Sequence, residues 1–203
     1  MLYLLHGFSD DARGWPVVGR AHVILDNLIA QGKAKPMVVV MPLGYGAPEI
    51  VTGGYSRDLR QKNLDKFREA LLAEVIPQVE SAYRATPDRA ARAVAGLSMG
   101  GAESLYTGLG ALDRFAWIGA FSSGLGDMDF DTAFPALDSR ANAKLSLLWI
   151  ACGTEDRLME PNRKFRGWLD ARRVHHTAVE TAGGHTWMVW RRNLAAFVPL
   201  LFR

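Results

Sequence analysis

The chain has 203 residues, of which 49% are apolar and 22% charged, with 20 glycines, nine prolines and one cysteine. That length suits a single domain over residues 1–203 with a real core, and the composition excludes disordered, collagen-like and low-complexity classes. A formal net charge of +3 is too mild for a nucleic-acid footprint, no apolar run approaches the roughly 20 residues of a membrane span, and the lone Cys152 excludes an internal disulfide or a cysteine-rich zinc site.

Leu2–Leu5 reads as a strand, ended by His6-Gly7. No basic and apolar leader follows Met1, so the sequence as written carries no signal peptide and reads as cytoplasmic. From about Gly19 to Gln31, Val23, Ile24, Asn27, Leu28 and Gln31 recur at helical spacing, with Gly32 as the stop. Met37–Met41 is a continuous apolar run, as expected of a strand buried on both faces. Leu43 to Arg57 is rich in glycine and proline and reads as a loop. Asn63 to Ile76 is amphipathic through Leu64, Phe67, Leu71 and Val75; Pro77 should kink or break it before the pattern resumes to Tyr83.

Further strands are predicted over Ala91–Ala95, Ala116–Phe121, Leu147–Ala151 and Thr177–Glu180. Helices are predicted over Gly101 to Gly108, Pro161 to Arg172 and Thr186 to Phe202. Arg157, Arg163, Arg166, Arg172 and Arg173 read as a solvated helix face. The alternation gives an α/β fold: a mostly parallel sheet of about six strands with helices on both faces. In such sheets function collects in the loops at the carboxyl ends of the strands. Those loops begin at His6, Leu43, Gly96, Ser122, Cys152 and Thr181.

Gly96-Leu97-Ser98-Met99-Gly100 has the form G-x-S-x-G between a strand and a helix, the setting of a strained, exposed nucleophile. A serine hydroxyl needs a base. Of the five histidines, His22 lies in a helix pattern, and His175 and His176 open a strand at its wrong end. His185, in Gly183-Gly184-His185-Thr186-Trp187 just past a strand, is the candidate base. The orienting acid should follow a strand between serine and base. Asp156 is preferred there to its neighbour Glu155. The resulting order Ser98, Asp156, His185 is that of α/β-hydrolases. Two backbone donors should hold the developing oxyanion: the N–H of Met99 after the nucleophile and that of Phe8 after the first strand. His6 is expected to serve the structure of its loop. Trp187, Leu125, Met159 and Tyr45 are candidates to line the substrate site, and Tyr55 lies in the same glycine-rich loop as Tyr45.

With these residues in view, the sequence resembles the esterase D-like branch of the α/β-hydrolases. That branch includes feruloyl, acetyl xylan and enterochelin esterases, S-formylglutathione hydrolases and mycolyltransferases. The resemblance is carried by Leu4-Leu5-His6-Gly7-Phe8 with Trp15, by the stretch from Asp26 to Met41, by Gly-Leu-Ser-Met-Gly-Gly at 96–101, by Gly153 to Asp156 and by Gly184 to Trp187. It leans toward the feruloyl esterase-like members of carbohydrate esterase family 1 type. It implies a serine carboxylesterase with an acyl-enzyme mechanism, no metal or organic cofactor, and a small-molecule or carbohydrate-linked feruloyl, acetyl or similar ester as substrate, with neither nucleic acid nor membrane as partner. An acyltransferase or thioesterase on the same triad, or a non-catalytic binding relative, are the alternatives. The family usually has antiparallel strands before the His-Gly loop, which this sequence lacks. Met37–Met41 would then be an exposed apolar edge, and a homodimer through that edge is expected.

Overall fold

The computed structural model describes residues 1–203. The elements run β1 (Leu2–Leu5), α1 (Ala21–Ala30), β2 (Val39–Val40), α2 (Glu49–Gly53), α3 (Arg57–Ala70), α4 (Ile76–Ala82), β3 (Ala93–Leu97), α5 (Met99–Gly110), β4 (Trp117–Phe121), α6 (Phe130–Ala133), β5 (Leu147–Gly153), α7 (Met159–Ala171), β6 (Thr177–Thr181) and α8 (Trp187–Phe197). The six strands form one sheet in the order β2-β1-β3-β4-β5-β6, and every pairing is parallel. No helix is long and apolar enough to cross a membrane.

Successive strand residues point to opposite faces of a sheet, and the core divides accordingly. Tyr3, Leu5, Val94, Ile118, Leu148 and Ile150 meet Leu64 and Phe67 of α3, Leu105 and Leu109 of α5, and Phe165 and Leu169 of α7. Leu2, Leu4, Ala93, Ala95, Phe121 and Trp149 meet Leu25 of α1 and Val189, Trp190, Leu194 and Phe197 of α8. Helices therefore cover both faces, and α5 lies nearly wholly buried against β3 and β4.

Four sequence expectations need correction. The strand expected over Met37–Met41 shrinks to Val39–Val40, and the whole run is half-buried rather than buried on both faces. The reason is position: β2 is an edge with one neighbour, and Pro36 and Pro42 can donate no ladder hydrogen bond. The expected loop from Leu43 to Arg57 contains α2. The helix expected from Asn63 starts at Arg57, because the Ser56 side chain caps it by accepting from the Leu59 N–H at 3.4 Å. Finally, Pro77 does not break the helical path. A π-helical turn over Leu71–Val75 leads directly into α4, and Pro77 stands in the first turn of α4, where a missing N–H is tolerated.

The chain order changes direction between β1 and β3: β2 lies to one side of β1, and all later strands lie to the other. A crevice opens outside the carboxyl ends of the strands at such a switch. His6-Gly7-Phe8 leaves β1 there, and Ser98 leaves β3.

Candidate active site

Ser98 sits between β3 and α5 with φ 52° and ψ −113°, a conformation rarely adopted by a non-glycine residue. The flanking glycines make this turn possible. A Cβ at Gly96 would collide with the Gly100 carbonyl, and one at Gly100 would lie 2.5 Å from the His6 carbonyl oxygen and 2.7 Å from Leu5 Cβ. The serine hydroxyl thus stands at the N-terminus of α5, where backbone N–H groups have no intrahelical acceptor.

Three strand ends meet at this point. The Ser98 hydroxyl lies 3.1 Å from His185 Nε2 and can donate to it. On the other side of the ring, His185 Nδ1 donates to the Asp156 carboxylate at 2.9 and 3.1 Å. The Asp156 side chain is fully buried, whereas that of His185 is 21% exposed. Burial alone would raise the Asp156 carboxyl, but hydrogen bonds from His185, the Leu158 N–H and Ser122 outweigh it and hold the pKa below the ordinary carboxylate value. Glu155, the other carboxylate of that loop, is exposed.

Ser122 was visible in the sequence only as the start of a loop. It is fully buried with φ 49°. Its Oγ accepts from Trp190 Nε1 at 3.1 Å and donates to Asp156. The Trp190 ring packs edge-on against His185 at 4.9 Å. One tryptophan therefore supports both base and acid. No motif marks Trp190, because its partners come from other strands.

The loop after β1 passes directly beside the serine: a Cβ at Gly7 would lie 3.3 Å from Ser98 Cβ. The Phe8 N–H makes no hydrogen bond within the chain. Met99 is the first residue of α5, so its N–H is also free of intrahelical bonding. The His6 ring is buried and bridges two loops. Nδ1 donates to the Gly7 carbonyl at 2.8 Å, and Nε2 accepts from the Gly44 N–H at 2.8 Å.

A cavity of about 410 Å³ opens beside Met99 and Gly124, walled by Leu125, Tyr55, Tyr106 and Arg60. The Phe8 and Tyr55 rings pack at 4.7 Å, and the Arg60 guanidinium lies 5.4 Å from the Tyr55 ring centroid. Burial pushes the Tyr55 phenol up to about 12. Arg60 also pairs with Asp127 across the cavity. Of the four residues expected to line a substrate site, Leu125 lines this cavity. The other three lie outside this cavity. Trp187 packs on Trp15 and Trp190 at 5.2 Å each, and Met159 is buried at the start of α7. Tyr45 accepts from the Ser9 N–H at 2.9 Å and donates to the Asp10 carbonyl at 3.0 Å, bracing the turn after Phe8. Burial raises the Cys152 thiol to about 12, which makes it a poor nucleophile.

The esterase family model, described as "Putative esterase", matches residues 1–201. An endo-1,4-beta-xylanase/feruloyl esterase from Xylanibacter ruminicola is 30% identical over 203 residues, which is 100% of this chain and 26% of that protein. The chain therefore spans about a quarter of that relative's length. An acetyl esterase from Caldicellulosiruptor saccharolyticus is 24% identical over 227 residues, covering 96% of this chain and 80% of that protein. A solved ferulic acid esterase superposes with a TM-score of 0.81 at 27% identity, covering 98% of this chain and 82% of the other.

Proposed function

Since the chain belongs to the esterase family, we propose that it hydrolyses carboxylic esters through an acyl-enzyme on Ser98. The observation that carries this reading is the continuous relay Ser98–His185–Asp156, three groups from the ends of β3, β6 and β5 within hydrogen-bond distance of one another. Ser98 Oγ attacks the ester carbonyl carbon while His185 Nε2 takes its proton. Asp156 holds the ring with its Nδ1 protonated and stabilises the imidazolium that forms. The Phe8 and Met99 N–H groups hold the tetrahedral oxyanion. The intermediate collapses, His185 protonates the departing alkoxide, and an alcohol leaves. Water then attacks the acyl-enzyme, giving its proton to His185, and the acid is released with Ser98 restored.

The cavity supports an acyl group larger than acetyl. Its volume of about 410 Å³ lies in the range of small-molecule sites, and its Tyr55, Leu125 and Tyr106 walls suit an aromatic acyl group of the feruloyl kind. The alcohol side is proposed to be a sugar or another small alcohol.

The test compares methyl ferulate with a short p-nitrophenyl ester, wild type beside Ser98→Ala. Turnover of both by wild type, falling about 10⁶-fold in the variant, is the expected outcome. Turnover that survives in Ser98→Ala overturns the nucleophile. With the alcohol held the same, a preference for methyl acetate over methyl ferulate overturns the aryl reading. Thioester turnover well above that of oxygen esters, or acyl transfer to an added sugar, would move the reading to a thioesterase or an acyltransferase.

A further inference from the structure

The mechanism leaves one buried carboxyl without a role. Glu103 lies in α5, one turn beyond Met99, and is fully buried. Its Oε1 accepts from Asn63 Nδ2 at 2.9 Å, while Oε2 has no partner. Asn63, on α3, is equally buried. Its Nδ2 also donates to the Gly44 carbonyl at 3.1 Å, and its Oδ1 accepts from the Ala47 N–H at 3.1 Å. The amide thus clamps the loop after β2 to α5. Gly44 packs closely against this pair, and a side chain there would make its neighbours shift by a few tenths of an ångström. A Cβ there would lie 3.1 Å from both Glu103 Oε2 and Met99 Cε.

From Gly44 the contacts lead to the reacting centre. The Gly44 N–H donates to His6 Nε2, and His6 Nδ1 donates to the Gly7 carbonyl, each at 2.8 Å. That carbonyl and the Phe8 N–H are opposite ends of one planar peptide group, so aiming one aims the other. We propose that Asn63 and Glu103 are positioning residues for the Phe8 oxyanion donor, acting through Gly44 and His6; this rests on the serine-esterase reading above. A single helix then sets both donors: α5 carries Met99 at its first residue and braces Phe8 through Glu103. Burial disfavours the carboxylate form and raises the Glu103 pKa well above its ordinary value. Burial thus favours the protonated side chain, whose near-isostere is glutamine.

The experiment measures kcat and KM on p-nitrophenyl acetate, whose acyl group is too small to fill the cavity. The proteins are wild type, Glu103→Gln, Glu103→Leu and Asn63→Ala. Affinity for an aryl trifluoromethyl ketone, which forms a tetrahedral oxyanion on the serine, is measured beside affinity for the product carboxylate. Deleting a whole oxyanion donor lowers kcat about 10²–10³-fold, so misaiming one should lower it about 10-fold in Glu103→Leu and Asn63→Ala, with KM within about twofold. Ketone affinity should fall by the same factor and product affinity should hold. Glu103→Gln should restore kcat to within about threefold of wild type. Folded Leu and Ala variants with unchanged kcat overturn the proposal, as does a loss of kcat that leaves ketone affinity intact. Failure of both to fold assigns the pair to stability alone, which also overturns it. A wild type with no Ser98-dependent turnover instead brings down the esterase reading itself.

Discussion

At Asp156, burial and hydrogen bonding pull in opposite directions, and the hydrogen bonds win. The carboxylate is charged because His185, Ser122 and the Leu158 N–H all point at it. Asp156→Asn keeps the shape but favours the wrong imidazole tautomer. It should lower kcat by about 10⁴ with little change in thermal stability, read by steady-state kinetics beside a melting curve. Glu103 is the opposite case. It is raised above its ordinary value of 4.5, so above pH 4.5 the folded chain holds a proton that the unfolded chain has lost. The stability this represents is complete below 4.5 and is lost as pH rises through the folded pKa. Glu103→Gln removes this loss. Its melting temperature should therefore gain on wild type between pH 4 and pH 8. A constant difference across that range would mean Glu103 is charged in the folded state. Glu103 sits in a helix pattern that reads as apolar, and only its neighbours from α3 and the β2 loop reveal what it does.

Among the elements, α5 is the one that tolerates least change. It is packed on β1, β3 and β4, and Gly100 brings its first turn against Leu5 and the His6 carbonyl. Gly100→Ala forces α5 and β1 apart. It should destabilise the fold by about 1–3 kcal/mol in urea titration and also lower kcat, because α5 sets the donors. An effect on stability alone would separate the packing of α5 from the chemistry. Most elements were legible in the sequence because their apolar periods are strong: β3, β4 and β5 and the helices α1, α7 and α8 fall close to their expected places. The misjudged elements share a physical cause. The Ser56 cap lies seven residues before Asn63, where the helix was expected to start, α2 is five residues long, and the π-helical turn over Leu71–Val75 has no periodic signature of its own.

For the molecule as a whole, the open question is the β2 edge. Val39 and Val40 pair with β1 on one side only. Met37, Val39 and Met41 lean on one core and Val38 and Val40 on the other, which leaves the run half-buried. Unpaired edges of this kind are templates for another strand. A dimer through β2 should sediment as such at micromolar concentration and should dissociate on Val40→Lys. A monomer in wild type rules this pairing out.

The alternation of apolar runs and helix patterns was enough to specify a parallel α/β sheet, since only that layering buries both periods. Gly96 to Gly100 were legible because a nucleophile elbow requires local backbone strain, which local sequence encodes, and His185 and Asp156 because each follows a strand in the chain order that the elbow implies. The strand order, with its switch between β1 and β3, was decided only by the tertiary structure. So were the Trp190–Ser122 support of the base and acid, the cavity beside Met99, and the path from Glu103 to Phe8. Each joins residues far apart in the chain through burial and hydrogen bonding, and no periodicity along the chain records which distant partner a buried polar group will find.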